Sequence, residues 1–222
     1  MLRSLVGSEM CIRDRPSPLS SVFAAGKNPA SHVYEAHPFT KEMRDAGYTI
    51  LVPQMATIQF RIAEPILKRK GYNIRLLENV DAQTMETGLK YINNDACYPS
   101  LVVLGQLIDE FVSGRADPNR TAVAMSQTGG MCRATNYASL LRKGLRDAGY
   151  PQVPVIAMSL QGLEENPGFT FTIPIYHRII QALVIGDAIQ KMLLRVRPYE
   201  AAPGSAMALY LSLIHISEPT RL

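Results

Sequence analysis

The chain has 222 residues, 47% of them hydrophobic and 19% charged, with a net charge of +4. That is the composition of a globular protein with a real core, and with no basic cluster behind the charge it offers nothing to a nucleic-acid partner. Three cysteines without disulfide-like spacing suit a reducing cytoplasm better than secretion.

Both ends read as foreign to the rest. Met1 to Arg15 and Leu211 to Leu222 resemble translated sequencing adapter, so residues 1–15 and 211–222 are expected to lie outside the fold and Cys11 and His215 to carry no function. No signal peptide is expected. Residues 16–38 hold Pro16, Pro18, Pro29 and Pro38 among Ser and Ala and read as a linker or the edge of a truncated preceding region. Residues 39–210 form the expected domain.

Within it a pattern recurs. Arg44-Asp45-Ala46-Gly47-Tyr48, Lys68-Arg69-Lys70-Gly71-Tyr72 and Arg146-Asp147-Ala148-Gly149-Tyr150 each precede an apolar run. Basic residues suit the last turn of a helix, and a left-handed glycine closes it before the next strand. With the helical spacing between these marks, the predicted order is strand 49–53, helix 57–70, strand 73–78, helix 81–93, helix 99–113, strand 121–126, helix 131–147, strand 154–160 and helix 172–195. Short strands without alternation, separated by helices, predict an α/β fold: a doubly wound, Rossmann- or flavodoxin-like parallel sheet covered on both faces. The longest apolar stretch, Ile179 to Val196, is interrupted by Asp187, Lys191 and Arg195 and reads as a buried amphipathic helix, not a membrane span.

Ligands of such sheets bind beyond the carboxyl ends of the strands. That edge is expected to carry Pro53-Gln54-Met55, Glu78-Asn79, Ser159-Leu160-Gln161-Gly162 and the stretch Ser126-Gln127-Thr128-Gly129-Gly130-Met131-Cys132. The strand–glycine turn–helix pattern places Cys132 in a first helical turn, where free N–H groups and the helix dipole favour a thiolate. Cys97, in Asn93-Asn94-Asp95-Ala96-Cys97-Tyr98-Pro99, also stands before a helix, and the two cysteines are expected to face one cavity. Asn94 and Asp95 also serve as helix terminators or caps. Several other chemistries fit less well. Neither cysteine has a CxxC partner or a histidine at zinc spacing. His37 and His177 have no context for a Cys–His pair, and Thr128-Gly129-Gly130 lacks the Lys-Ser/Thr of a P-loop. Buried cysteines acting as small hydrophobes stay as the plain alternative.

Asn93-Asn94-Asp95-Ala96-Cys97-Tyr98-Pro99 and Gln127-Thr128-Gly129-Gly130-Met131-Cys132-Arg133-Ala134-Thr135-Asn136-Tyr137, with Gly105-Gln106, Asn166-Pro167-Gly168-Phe169, Arg197-Pro198-Tyr199-Glu200 and Gly204-Ser205-Ala206, resemble the 2-hydroxyacyl-CoA dehydratase superfamily. The likeness is to the carboxyl-terminal, dehydratase-like part of the large activase-related proteins and spans about Pro38 to Tyr210. What it implies is an iron–sulfur cluster, [4Fe–4S] or double-cubane, held by Cys97 and Cys132, with Gln54, Asn94, Asp95, Gln127, Thr128, Gly129 and Gly130 in the cluster or substrate environment. An ATP-hydrolysing activator would deliver a low-potential electron. In the dehydratases that electron passes to an acyl-CoA thioester and yields a ketyl radical that expels the hydroxyl group. Two cysteines fall short of a cubane's usual ligand number, so the remaining ligands are expected outside this sequence. A non-catalytic electron-transfer or scaffold module with no acyl-CoA substrate is the alternative.

Overall fold

The structure, a computed structural model, describes residues 37–93, 96–127, 132–159, 166–170 and 172–217. The expected tail 1–15 and most of the linker therefore lie outside the described residues.

Four strands, β1 (Thr49–Val52), β2 (Asn73–Leu76), β3 (Thr121–Gln127) and β4 (Val155–Ser159), form one sheet in the order β2-β1-β3-β4. All three pairings are parallel, with Ile50 opposite both Ile74 and Ala122 and Ala124 opposite Ile156. The fold is the expected doubly wound α/β layer. The helices are α1 (Lys41–Asp45), α2 (Thr57–Lys68), α3 (Ala82–Tyr91), α4 (Tyr98–Val112), α5 (Tyr137–Asp147), α6 (Ile173–Val196) and α7 (Ser205–Ser217).

Strand β3 shows why its sequence does not alternate. Val123 and Met125 enter one core with Leu104, Leu107 and Ile108 of α4 and Leu141 and Leu145 of α5. Ala122 and Ala124 enter the opposite core with Phe39, Ile50, Ile74 and Ile156. Both faces of the strand are dry, so both call for apolar residues. Beyond the second core, α2 packs on α6 through Ile58, Ile62, Ile66, Ala182 and Ile189.

The Gly-Tyr marks share one geometry. Gly47, Gly71 and Gly149 have φ of 74°, 86° and 93°. The N–H groups of Tyr48, Tyr72 and Tyr150 donate to the carbonyls of Met43, Leu67 and Leu145, five residues earlier in each case. This is the closure that leaves a helix and turns the chain into a strand.

Two boundaries differ from expectation. The region predicted as one helix over 131–147 divides into a 3₁₀ turn, Arg133–Asn136, and α5. Near the other end, α7 runs across the boundary expected at residue 210. Tyr210 and Leu213 pack against the α2–α6 core, so the first residues of the supposed tail belong to the fold. A run of Ala, Leu, Tyr and Ile favours helix wherever an apolar surface is at hand.

The motifs near the carboxyl end are structural. The N–H of Gly168 donates to the carbonyl of Phe39 at 2.8 Å, and a Cβ at Gly168 would lie 2.1 Å from the Thr40 carbonyl oxygen. The Glu200 carboxylate accepts from the N–H groups of Gly204 and Ala206 at 2.7 and 3.1 Å, holding the start of α7. Among the described residues no helix is long and apolar enough to cross a membrane.

Candidate thiol site beyond the carboxyl edge

Strand order reverses at β1, which has β2 on one side and β3 on the other. A crevice at such a point is where open α/β sheets bind ligands. Gln54 follows β1 and Gln127 ends β3, so both stand there as expected. The side-chain carbonyl oxygens of Gln54 and Gln127 are buried without a hydrogen-bond partner. Buried polar atoms are ordinarily satisfied; Gln59 Oε1 and Thr84 Oγ1 are unpaired in the same way among the described residues.

Helices α3 and α4 form a hairpin above this edge. Gln106 of α4 is the tie. Its Oε1 accepts from the Gln54 backbone N–H at 3.2 Å and its Nε2 donates to the Asn79 carbonyl at 2.7 Å. Gln106 is therefore level with the ends of β1 and β2. Cys97 lies nine residues before it, roughly 13 Å further out by the helical rise. The second helix thus runs back toward the edge, with Cys97 at its start.

Cys97 is the N-cap of α4, and Pro99 sits in the first turn, where its missing N–H costs nothing. The N–H of Ser100 donates to the Cys97 carbonyl at 2.9 Å, and Ser100 Oγ does so at 2.7 Å. The backbone at Cys97 is thereby fixed. Its sulfur lies 2.8 Å from the Tyr137 hydroxyl. That hydrogen bond, ahead of every other cause, lowers the Cys97 thiol from its ordinary value against the opposing effect of burial. Tyr137 moves the other way. Burial raises its phenol, and the hydrogen bond and charge of Cys97 and the charge of Cys132 add to the rise. Either atom can donate between the two neutral groups, and toward a Cys97 thiolate, which has no proton to give, the Tyr137 hydroxyl is the donor.

Cys132 is placed differently from its expectation. It does not enter the first turn of an α-helix but caps the 3₁₀ turn, its sulfur accepting from the Ala134 N–H at 3.5 Å. It is exposed, whereas Cys97 is half-buried. A cavity of about 300 Å³ is lined by Cys97, Asn93 and Ser100 on one side and by Arg133, Asn136 and Tyr137 on the other. Cys132 is not in its wall but immediately precedes the residues that are.

The remaining expected residues divide simply. Asn94, Asp95, Thr128, Gly129 and Gly130 lie outside the described residues. His37 and His177 are exposed, and neither borders the cavity. Sequence reasoning missed Tyr137 and Gln106 as site residues. Tyr137 reads as one apolar position of a helical stripe, and its hydroxyl partner is forty residues away.

The donor chemistry of two thiolates suits a soft iron–sulfur centre. Their number does not complete one, and no group of three or more Cys, His, Asp or Glu able to hold a metal occurs among the described residues. On the opposite face of the sheet lies an apolar cavity of about 260 Å³, walled by Val52, Leu76, Ala124 and Met158 of the strands and by Phe60 and Leu183 of the helices. Comparison with known proteins gives no match to a family model, a curated protein or a solved structure.

Proposed function

We propose that the chain is the iron–sulfur module of a 2-hydroxyacyl-CoA dehydratase-like, low-potential reductase that works in the cytoplasm with an ATP-hydrolysing activator. The observation that carries this reading is the Cys97 sulfur held 2.8 Å from the Tyr137 hydroxyl at the start of α4, beyond the carboxyl edge at the reversal of strand order, with Cys132 directly before residues that line the same cavity. Cys97 and Cys132 would hold the cluster, which when bound supplies one-electron reduction. The remaining ligands would come from outside this sequence. The chain's own part is to place the two sulfurs: the Ser100 contacts hold the Cys97 backbone, the Tyr137 hydroxyl meets its sulfur, and the Ala134 N–H donates to the Cys132 sulfur. The orphaned carbonyls of Gln54 and Gln127 would accept from a ligand in the crevice.

The alternative is an electron-transfer or scaffold module without a substrate of its own. The apolar cavity across the sheet favours the enzyme, because it offers dry space for the hydrocarbon part of an acyl group. Anaerobic reconstitution with ferrous iron and sulfide, in the presence of the protein region that carries the remaining ligands, tests the reading. The expected product is a cluster with a midpoint at or below about −400 mV, the range of plant-type ferredoxins. A midpoint near zero would exclude a low-potential reductase.

A further inference from the structure

The Tyr137 hydroxyl meets the Cys97 sulfur at a cavity that both residues line, although the tyrosine belongs by periodicity to the apolar stripe of α5. Its ring is 7% exposed and packs in the core with Leu141 and Leu145. Only the hydroxyl leaves that core, and it reaches sulfur at 2.8 Å. A phenylalanine would satisfy the packing equally well. The hydroxyl therefore needs a reason other than the core, because a buried O–H without a partner is costly.

We propose that Tyr137 is a positioning residue of the thiol site, whose phenol donates to the Cys97 sulfur and fixes the direction in which that sulfur presents its remaining lone pairs to the cavity. Two constraints act together. The Ser100 N–H and hydroxyl hold the Cys97 carbonyl, which sets the backbone. The phenol then holds the side chain, which would otherwise rotate freely at a half-buried helix start. Asn93, Arg133 and Asn136 line the same cavity. In its consequence for a cluster the proposal rests on the reading of Cys97 as a ligand. A donor to a ligand sulfur stabilises the more electron-rich, reduced state. Tyr137 would thus raise the potential relative to an undonated thiolate.

Tyr137→Phe in the full chain provides the test, with two readouts. The first uses the metal-free protein and iodoacetamide, with Cys97 alkylation followed by peptide mapping across pH. Charged or titratable neighbours that bear on the profile are Cys132 and Arg133, so wild type and variant are also compared in a Cys132→Ser background. The expected result is a profile moved to higher pH, with alkylation at neutral pH slower on the order of tenfold, as for loss of a hydrogen bond to a charged acceptor. Leu209→Ala, at an exposed position of α7 outside the cavity wall, should leave the profile in place. The second readout is the reconstituted protein, where iron content should be retained and the midpoint become more negative. An unchanged alkylation profile would overturn the proposal, even if iron binds normally. A shifted profile in a chain that takes up no iron would uphold the tyrosine's role and refute the iron–sulfur reading instead.

Discussion

Gly105→Ala should destabilise the protein by about 3 kcal/mol, although glycine to alanine within a helix ordinarily stabilises by about 1 kcal/mol. The reason is a backbone-to-backbone crossing of α3 and α4. A Cβ at Gly105 would lie 2.5 Å from the Thr84 carbonyl oxygen and 3.1 Å from the Gly88 nitrogen, and one at Gly88 would lie 2.3 Å from the Leu101 carbonyl oxygen. Backbone atoms cannot rotate out of the way, so the helices must separate along their shared length. That would also lift Gln106 from Gln54 and Asn79 and displace Cys97. Gly144 is the internal control. A Cβ there would meet the tips of Ile108 and Ile92 at 2.6 and 3.0 Å, and flexible tips yield more cheaply. Urea unfolding of the two variants checks the difference. Equal midpoints for Gly105→Ala and wild type would refute the crossing.

Arg115→Ala is expected to cost about 3 kcal/mol, the lower part of the range for stripping a partner from buried charge. Asp109 and Glu110 are 1% and 3% exposed, inside the largely apolar helix α4. The Arg115 fork reaches Asp109 Oδ2 at 2.5 Å and Glu110 Oε1 at 2.8 Å. Arg75 pairs with Glu110, and the Thr87 hydroxyl donates to Asp109 at 2.9 Å. Arg115 itself is 37% exposed, and those other partners remain after its loss, which keeps the effect from the top of the range. Arg115→Lys retains the charge but not the planar two-carboxylate fork and should fall between the two. A denaturation midpoint for Arg115→Ala within error of wild type would show that the carboxylates are already satisfied without it.

The sheet was legible in the sequence because its signals are local. Each Gly-Tyr mark carries its own helix closure within six residues, and the unalternating strands announce two dry faces. The thiol site was legible only in part. Cys97 and Cys132 are distinguished by turns and helix starts, which are local features. The Cys97–Tyr137 bond is not, since nothing near Tyr137 separates a core tyrosine from one whose hydroxyl has a task. The same holds for Gln106, a polar residue on an apolar helix whose two partners come from different loops. Helix α7 escaped notice because its apolar run was read as foreign, while Tyr210 and Leu213 find a surface on α2 and α6. The split of 131–147 follows from Thr135 and Asn136, residues whose side chains compete for backbone groups and favour caps over helix interiors.

The most direct measurement is iron and acid-labile sulfide per chain after anaerobic reconstitution, together with the protein region that carries the remaining ligands, of wild type, Cys97→Ser, Cys132→Ser and Cys11→Ser. Serine preserves size but is a poor ligand for a soft iron–sulfur centre. The account predicts that the Cys97 and Cys132 variants each lose most of their iron and sulfide while Cys11→Ser matches wild type. Wild-type metal content in both of the first two variants would contradict it.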